Sequence, residues 1–236
     1  MTLFQLLLFF FGTWCLTTAA AAPLAPPDTI AERAKPCLSC HAAEGKTGKF
    51  EYYPRLHGKP KGYLFSQMLN FRDGRRSNRA MALLLQNLSD AYLAEIADYF
   101  SAQEPQYSTA NTQASDRPAP TLIAKGDPAR KIPACVACHG KGLLGVAPNI
   151  PGLLGLPSDY VSAQMGAWKV ATRRAPAPDC MGEIAKQLSD VEVSAVATWL
   201  AAQPLPANPH PAPALTEALP LTCGSVPDIA LAIPKP

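Results

Sequence analysis

Two short phrases in this chain bring together residue types that can hold an iron porphyrin. They are Cys37-Leu38-Ser39-Cys40-His41 and, 98 residues on, Cys135-Val136-Ala137-Cys138-His139. Two thiols spaced by two residues can each form a thioether to a vinyl group of one porphyrin, and the adjoining imidazole can ligate the iron from one side. The expected cofactors are therefore two covalently bound haem c groups. A zinc site built from both pairs would leave the two histidines unexplained. A thioredoxin-like pair needs a βαβ setting, and no β-branched run precedes either motif.

The ligand on the far side of each iron decides its chemistry. An open iron binds small molecules or peroxide, whereas a thioether closes the site and raises the potential. Apart from Met1, the methionines fall as two aligned pairs, Met68 with Met165 and Met81 with Met181. Met68 and Met165 sit in helical apolar stripes and read as core filler. Met81 and Met181 follow an Arg-rich stretch about 40 residues after each motif histidine. A loop there reaches the far face of the porphyrin, so the expected metal ligands are His41 with Met81, and His139 with Met181. His57 is a rival in the first half, but Leu154 stands in its matched place. His210, in a Pro-rich stretch, is weaker still. Pro54 and Pro151 lack a backbone N–H yet offer a carbonyl, which could accept the histidine's other ring N–H and fix its tautomer. The alternative for both is plain turn formation.

The elements that must position these groups occur twice. Pro54-Arg55-Leu56-His57-Gly58 matches Pro151-Gly152-Leu153-Leu154-Gly155, and Tyr63, Gln67, Met68 and Arg76 match Tyr160, Gln164, Met165 and Arg173, all at an offset of 97. After a small insertion Met81, Leu88-Ser89-Asp90 and Tyr99-Phe100 match Met181, Leu188-Ser189-Asp190 and Trp199-Leu200 at an offset of 100. This is a tandem duplication, and Tyr63 and Tyr160 enter the candidate cofactor contacts as one of its repeated pairs. Leu64, Gln67, Met68 and Phe71 have helical spacing, as do Val161, Gln164, Met165 and Trp168. Ser89 and Ser189 cap closing helices with buried stripes Leu93, Ile96, Ala97, Phe100 and Val193, Val196, Ala197, Leu200; Glu192 completes a capping box. Nothing alternates convincingly as strand, so the expected class is all-α.

The ends and charge set the compartment. Residues 1–22 run from an apolar core into Ala19-Ala20-Ala21-Ala22, the form of a secretory signal peptide, although no Lys or Arg precedes the core. An uncleaved anchor is the alternative, but about 14 apolar residues fall short of the ~20 needed to span a bilayer. The expected organisation is 1–22 signal peptide, 23–108 first domain, 109–119 polar linker, 120–203 second domain and 204–236 an extended Pro-rich tail. The net charge of +3 is too weak to point to nucleic acid. Arg72, Arg75, Arg76 and Arg79, with Lys59 and Lys61 nearby, form a local basic cluster, read either as a solvated helix end or as a dock for an acidic redox partner or haem propionates.

Taken together, the doubled C-x-x-C-H, the P-x-L-x-G pair, Tyr-x-x-x-Gln, the Phe71-Arg72-Asp73-Gly74-Arg75-Arg76 run and the Met…Leu-Ser-Asp series resemble the dihaem cytochrome c4 family over residues 30–203. The resemblance implies two class I cytochrome c domains, each wrapped round one haem with His/Met ligation. It also implies electron transport in the periplasm, soluble or membrane-associated, between a donor dehydrogenase or quinol-oxidising complex and an acceptor such as a terminal oxidase. No substrate pocket and no catalytic residue are expected. Three departures stand out: Lys59 and Leu156 where the family has Gln after P-x-L-x-G, Ala171-Thr172 opposite Asp73-Gly74, and an insertion at Ala175–Cys180 accompanied by the long tail. Cys180 and Cys223 are the cysteines left over after haem attachment and removal of the signal with its Cys15, and an even remainder in an oxidising compartment suggests a disulfide. Closing that 43-residue loop would contribute on the order of 4 kcal/mol in the chain-entropy picture and would pin the tail across the second methionine segment. The competing classes are a dihaem peroxidase and a haem-based sensor. Both need an openable iron, whereas each half here offers a methionine and neither a matched distal His or Glu.

Overall fold

The computed structural model describes residues 27–42, 45–47, 52–107 and 120–226. The expected signal peptide (1–22), the linker (109–119) and the end of the tail lie outside the described residues. The described chain is mainly helical. The first half contains α1 (Ile30–Leu38), a hairpin of β1 (Lys46–Thr47) and β2 (Tyr52–Tyr53), then α2 (Lys61–Arg72), α3 (Arg79–Leu85) and α4 (Asp90–Ser101). The second half contains α5 (Thr121–Ala124), a 3-10 turn at Pro128–Arg130, α6 (Cys135–His139), a hairpin of β3 (Gly145–Val146) and β4 (Ile150–Pro151), then α7 (Ser158–Lys169), α8 (Cys180–Gln187) and α9 (Asp190–Ala201). The antiparallel hairpins, with a few isolated bridges, are additions to the expected all-helical pattern. Two-residue strands are too short to display an alternation.

Each closing helix buries the stripe read from its spacing. Ile96, Ala97 and Phe100 of α4 pack on Leu64 of α2 and Ala34 of α1. In the second half Val193 packs with Leu122, Ile132 and Leu188, while Leu200 packs with Ile123, Leu143 and Leu154. The caps also stand at the expected serines. Ser89 accepts from the Tyr92 amide, and Ser189 and Glu192 each accept from the other's backbone N–H.

The halves meet through a pseudo-two-fold contact. Arg76 and Arg173 face each other in an antiparallel bridge, flanked by Ser77 N–H to Thr172 O at 2.8 Å and Arg174 N–H to Arg75 O at 2.6 Å. The Tyr63 amide donates to Pro148 O at 3.2 Å. The backbone approach is close at Gly62, where a Cβ would push the Asn149 side chain of the other half aside. Among the described residues no helix is long and apolar enough to cross a membrane.

Candidate haem-binding sites

The first C-x-x-C-H motif closes α1, with Cys37 in its last turn and His41 just beyond; the second is α6 itself. All four motif thiols are unpaired. In both halves the histidine Nδ1 lies 2.8 Å from a proline carbonyl, His41 to Pro54 and His139 to Pro151. A carbonyl only accepts, so Nδ1 carries the proton and Nε2 keeps its lone pair for a metal. Burial holds both imidazoles below their usual pKa, favouring the neutral form that a metal ligand must take. Burial also raises the Cys37 and Cys138 thiols, and it pushes Cys135 up to about 11.

Met81 and Met181 are not on loops. Each lies in the first turn of a short helix, α3 capped by Asn78 and α8 capped by Asp179. The Asn78 side chain accepts from the Met81 amide at 3.0 Å, and Asp179 accepts from the Gly182 amide at 2.9 Å. The helices fix where each thioether starts, which a loop would leave free. In the second half Met181 lines one largely apolar cavity together with Cys135, Cys138, His139, Pro151 and Tyr160. Met68 packs against the first core. Met165, expected as core filler, touches the second core and also lines the cavity.

Two buried cations stand on the wall of that cavity. Lys59 and Tyr63 reach it from the first half, and Arg173 from the second. Lys59 is 8 % exposed and Arg173 6 %, and neither forms an ion pair with a carboxylate among the described residues. Burial, with Arg55, Arg76 and Arg173 nearby, pulls Lys59 down to about 7. The Trp168 indole N–H, also on the cavity wall, is buried without a partner. Buried cations and an orphaned donor on the wall of a largely apolar cavity fit the two propionates of a porphyrin whose ring lies among the apolar residues. Lys59, Arg173 and Trp168 would hold those carboxylates. The sequence already places Lys59 beside the basic cluster read as a dock for haem propionates, whereas nothing in it marks Arg173 or Trp168 as a haem contact.

The remaining candidates separate. Arg72 pairs with Asp73 and Asp90, and Arg75 with Asp73. Arg76 instead crosses between the halves to Tyr160 at 3.2 Å and Gln164 at 2.8 Å. Its counterpart Arg173 reaches Gln67 at 3.2 Å and Tyr63 at 3.5 Å. Tyr63 and Tyr160 therefore sit at the join as well as on the cavity wall. His57 lies against the Phe100 ring, and His210 pairs with Glu104 at 3.2 Å. Cys180 and Cys223 are bonded, with Cα atoms 5.3 Å apart.

The chain is 33% identical to a cytochrome c4 from Pseudomonas aeruginosa over 184 residues, spanning 73% of this chain and 87% of the relative. The chain belongs to the cytochrome c4 family. It is a dihaem electron-transfer cytochrome with two covalently bound haem c groups. Cytochrome c4 is not the only likeness. A thiosulfate dehydrogenase electron acceptor from Thiomonas intermedia is 38% identical over 194 residues, 81% of this chain and 86% of that protein. The solved thiosulfate dehydrogenase TsdBA of Marichromatium purpuratum superposes with a TM-score of 0.61 at 33% identity, over 71% of this chain and 36% of that one. No family model matches the chain.

Proposed function

We propose that this cytochrome c4 is a periplasmic carrier passing single electrons from a donor dehydrogenase, of which a thiosulfate-oxidising enzyme is the favoured case, or from a quinol-oxidising complex, to an acceptor such as a terminal oxidase. His41 and Met81 ligate the first iron, and His139 and Met181 the second. The observation that carries this reading is the placement of His139, with Nδ1 on Pro151 O, and Met181 on the walls of one cavity. The thiosulfate dehydrogenase electron acceptor at 38% identity supports the choice of donor.

The haem supplies a one-electron couple, and the chain's residues set its terms. The proline carbonyls fix each imidazole's tautomer and ring plane. A thioether from a capped helix turn favours the reduced state, as does an apolar surround. The pseudo-symmetric arginine contacts hold the halves in one arrangement, so the distance between cofactors does not vary from turnover to turnover. The protein itself breaks and forms no substrate bond, and acts as a carrier rather than an enzyme. Peripheral attachment to the membrane is compatible with the exported location.

The test is optical. Oxidised protein should show the weak long-wavelength charge-transfer absorbance of His/Met haem. Met81→Ala and Met181→Ala should each remove about half of it, while Met68→Ala and Met165→Ala leave it intact. High-spin spectra with rapid carbon monoxide binding in the unaltered protein would overturn the reading.

A further inference from the structure

The halves differ most around Met181. The insertion ahead of it ends in Cys180, the first residue of α8 and the direct neighbour of Met181. Cys180 is bonded to Cys223 in the tail. The tail approaches by a defined path. It pairs with β3, where the Ala147 amide donates to Ala212 O at 2.8 Å and the Ala212 amide to Gly145 O at 2.9 Å. It then runs to the insertion, where the Gly224 amide donates to Pro178 O at 2.9 Å. Only glycine fits there, because a Cβ on residue 224 would collide with the Pro176 and Ala177 carbonyls. Leu219, Leu221, Cys223 and Val226 thereby become part of the cavity wall that holds His139 and Met181.

Among the described residues the first half has no such device. On α3, Leu83 is 64 % exposed and Leu84 68 %. Ile184, which matches Leu84, is instead turned onto the cavity wall in α8.

We propose that Cys180 and Cys223 are positioning residues: their bond clamps the tail over the second haem and holds the first turn of α8 so that Met181 stays on the iron. This rests on the assignment of Met181 as a ligand. The disulfide acts at both ends. At Cys180 it restrains the backbone next to the thioether, and at Cys223 it keeps two leucines where water and small ligands would otherwise enter. The second haem is thus closed by the chain's own C-terminal segment, and among the described residues no equivalent segment is bonded beside Met81.

The experiment uses the full-length dihaem protein and imidazole as a probe for a displaceable methionine. The Cys180→Ser/Cys223→Ser double variant should bind imidazole several-fold more tightly at one haem, with a lower potential at that haem and no change at the other. The responding haem is identified as the one whose charge-transfer absorbance Met181→Ala abolishes. Gly224→Val, which pushes the tail off the insertion with both cysteines retained, should shift the same haem in the same direction and serves if the double variant does not accumulate. Unchanged imidazole binding and potentials in both variants, with Met181→Ala still losing its absorbance, would overturn the clamp and leave the ligand assignment standing. A Met181→Ala protein that keeps both absorbances would overturn the assignment and the clamp with it.

Discussion

Arg76 and Arg173 lie opposite each other where the halves meet, and each donates to Gln67 and Gln164. Each guanidinium also stacks on an aromatic ring of its own half, Arg76 over Phe71 at 4.6 Å and Arg173 over Trp168 at 3.8 Å. The fork geometry of arginine serves both glutamines at once, which a lysine ammonium could not reproduce. Arg173→Lys should therefore behave almost like Arg173→Ala. Each should lower stability by about 1.5–3 kcal/mol, the range for hydrogen bonds to a charged group. Thermal melting followed at the haem absorbance checks this, and a Lys variant as stable as the parent would refute it.

Lys59 gives an electrostatic prediction. Its cation is buried among other cations, so porphyrin carboxylates are what would keep it charged. Removing a positive charge favours the ferric state. Lys59→Gln should lower the potential of the second haem by an amount on the order of tens of millivolts, since 59 mV is about 1.4 kcal/mol for one electron. Spectroelectrochemical titration of both haems reads it, and a potential that does not move would place the lysine away from the propionates.

Core packing predicts unequal halves. Phe100 is 1 % exposed and Leu200, its matched residue, also 1 %. Phe100→Ala should cost about 3–5 kcal/mol and Leu200→Ala about 2–5 kcal/mol, from lost burial plus the cavity left behind. Denaturant unfolding of the dihaem protein measures both, and losses under about 1 kcal/mol would mean that the haem rather than the helix stripe carries the core.

Acid stability has a specific contributor in the second half. The Arg130 guanidinium, followed by the Ser189 backbone and side chain, holds Glu192 down to about 2. A carboxylate depressed in the folded state stabilises it above the unfolded value near 4.5 and loses that contribution as pH falls towards 2. Glu192→Gln should flatten the fall in melting temperature across that window. An unchanged slope would leave Asp28, Asp73, Asp127 and Asp190 to account for it, all of them likewise lowered by basic partners.

Much of this was legible in the residues. The C-x-x-C-H phrases, the repeat at offsets of 97 and 100, the serine caps and the α4 and α9 stripes are local patterns, and local patterns survive in one dimension. The helices bearing Met81 and Met181 escaped because seven or eight residues show too little periodicity, and the one behind Met181 follows a proline-rich insertion. The basic run hid its division of labour. Arg72 and Arg75 are neutralised by nearby aspartates, while Arg76 meets a glutamine 88 residues away, and no spacing rule reports a contact between copies. Lys59 was visible beside the basic cluster and as a departure from the family pattern, but its burial on the other half's cavity wall was not.

The contact between the halves has a further consequence. Equivalent residues exchange partners across it, so the surface is self-complementary in the manner of a homodimer. Such a surface cannot by chemistry alone distinguish its covalently joined neighbour from a stranger. Fusion into one polypeptide makes the pairing intramolecular, replacing dependence on bulk protein with a fixed local concentration. Two electron sites then remain mated however dilute the compartment becomes.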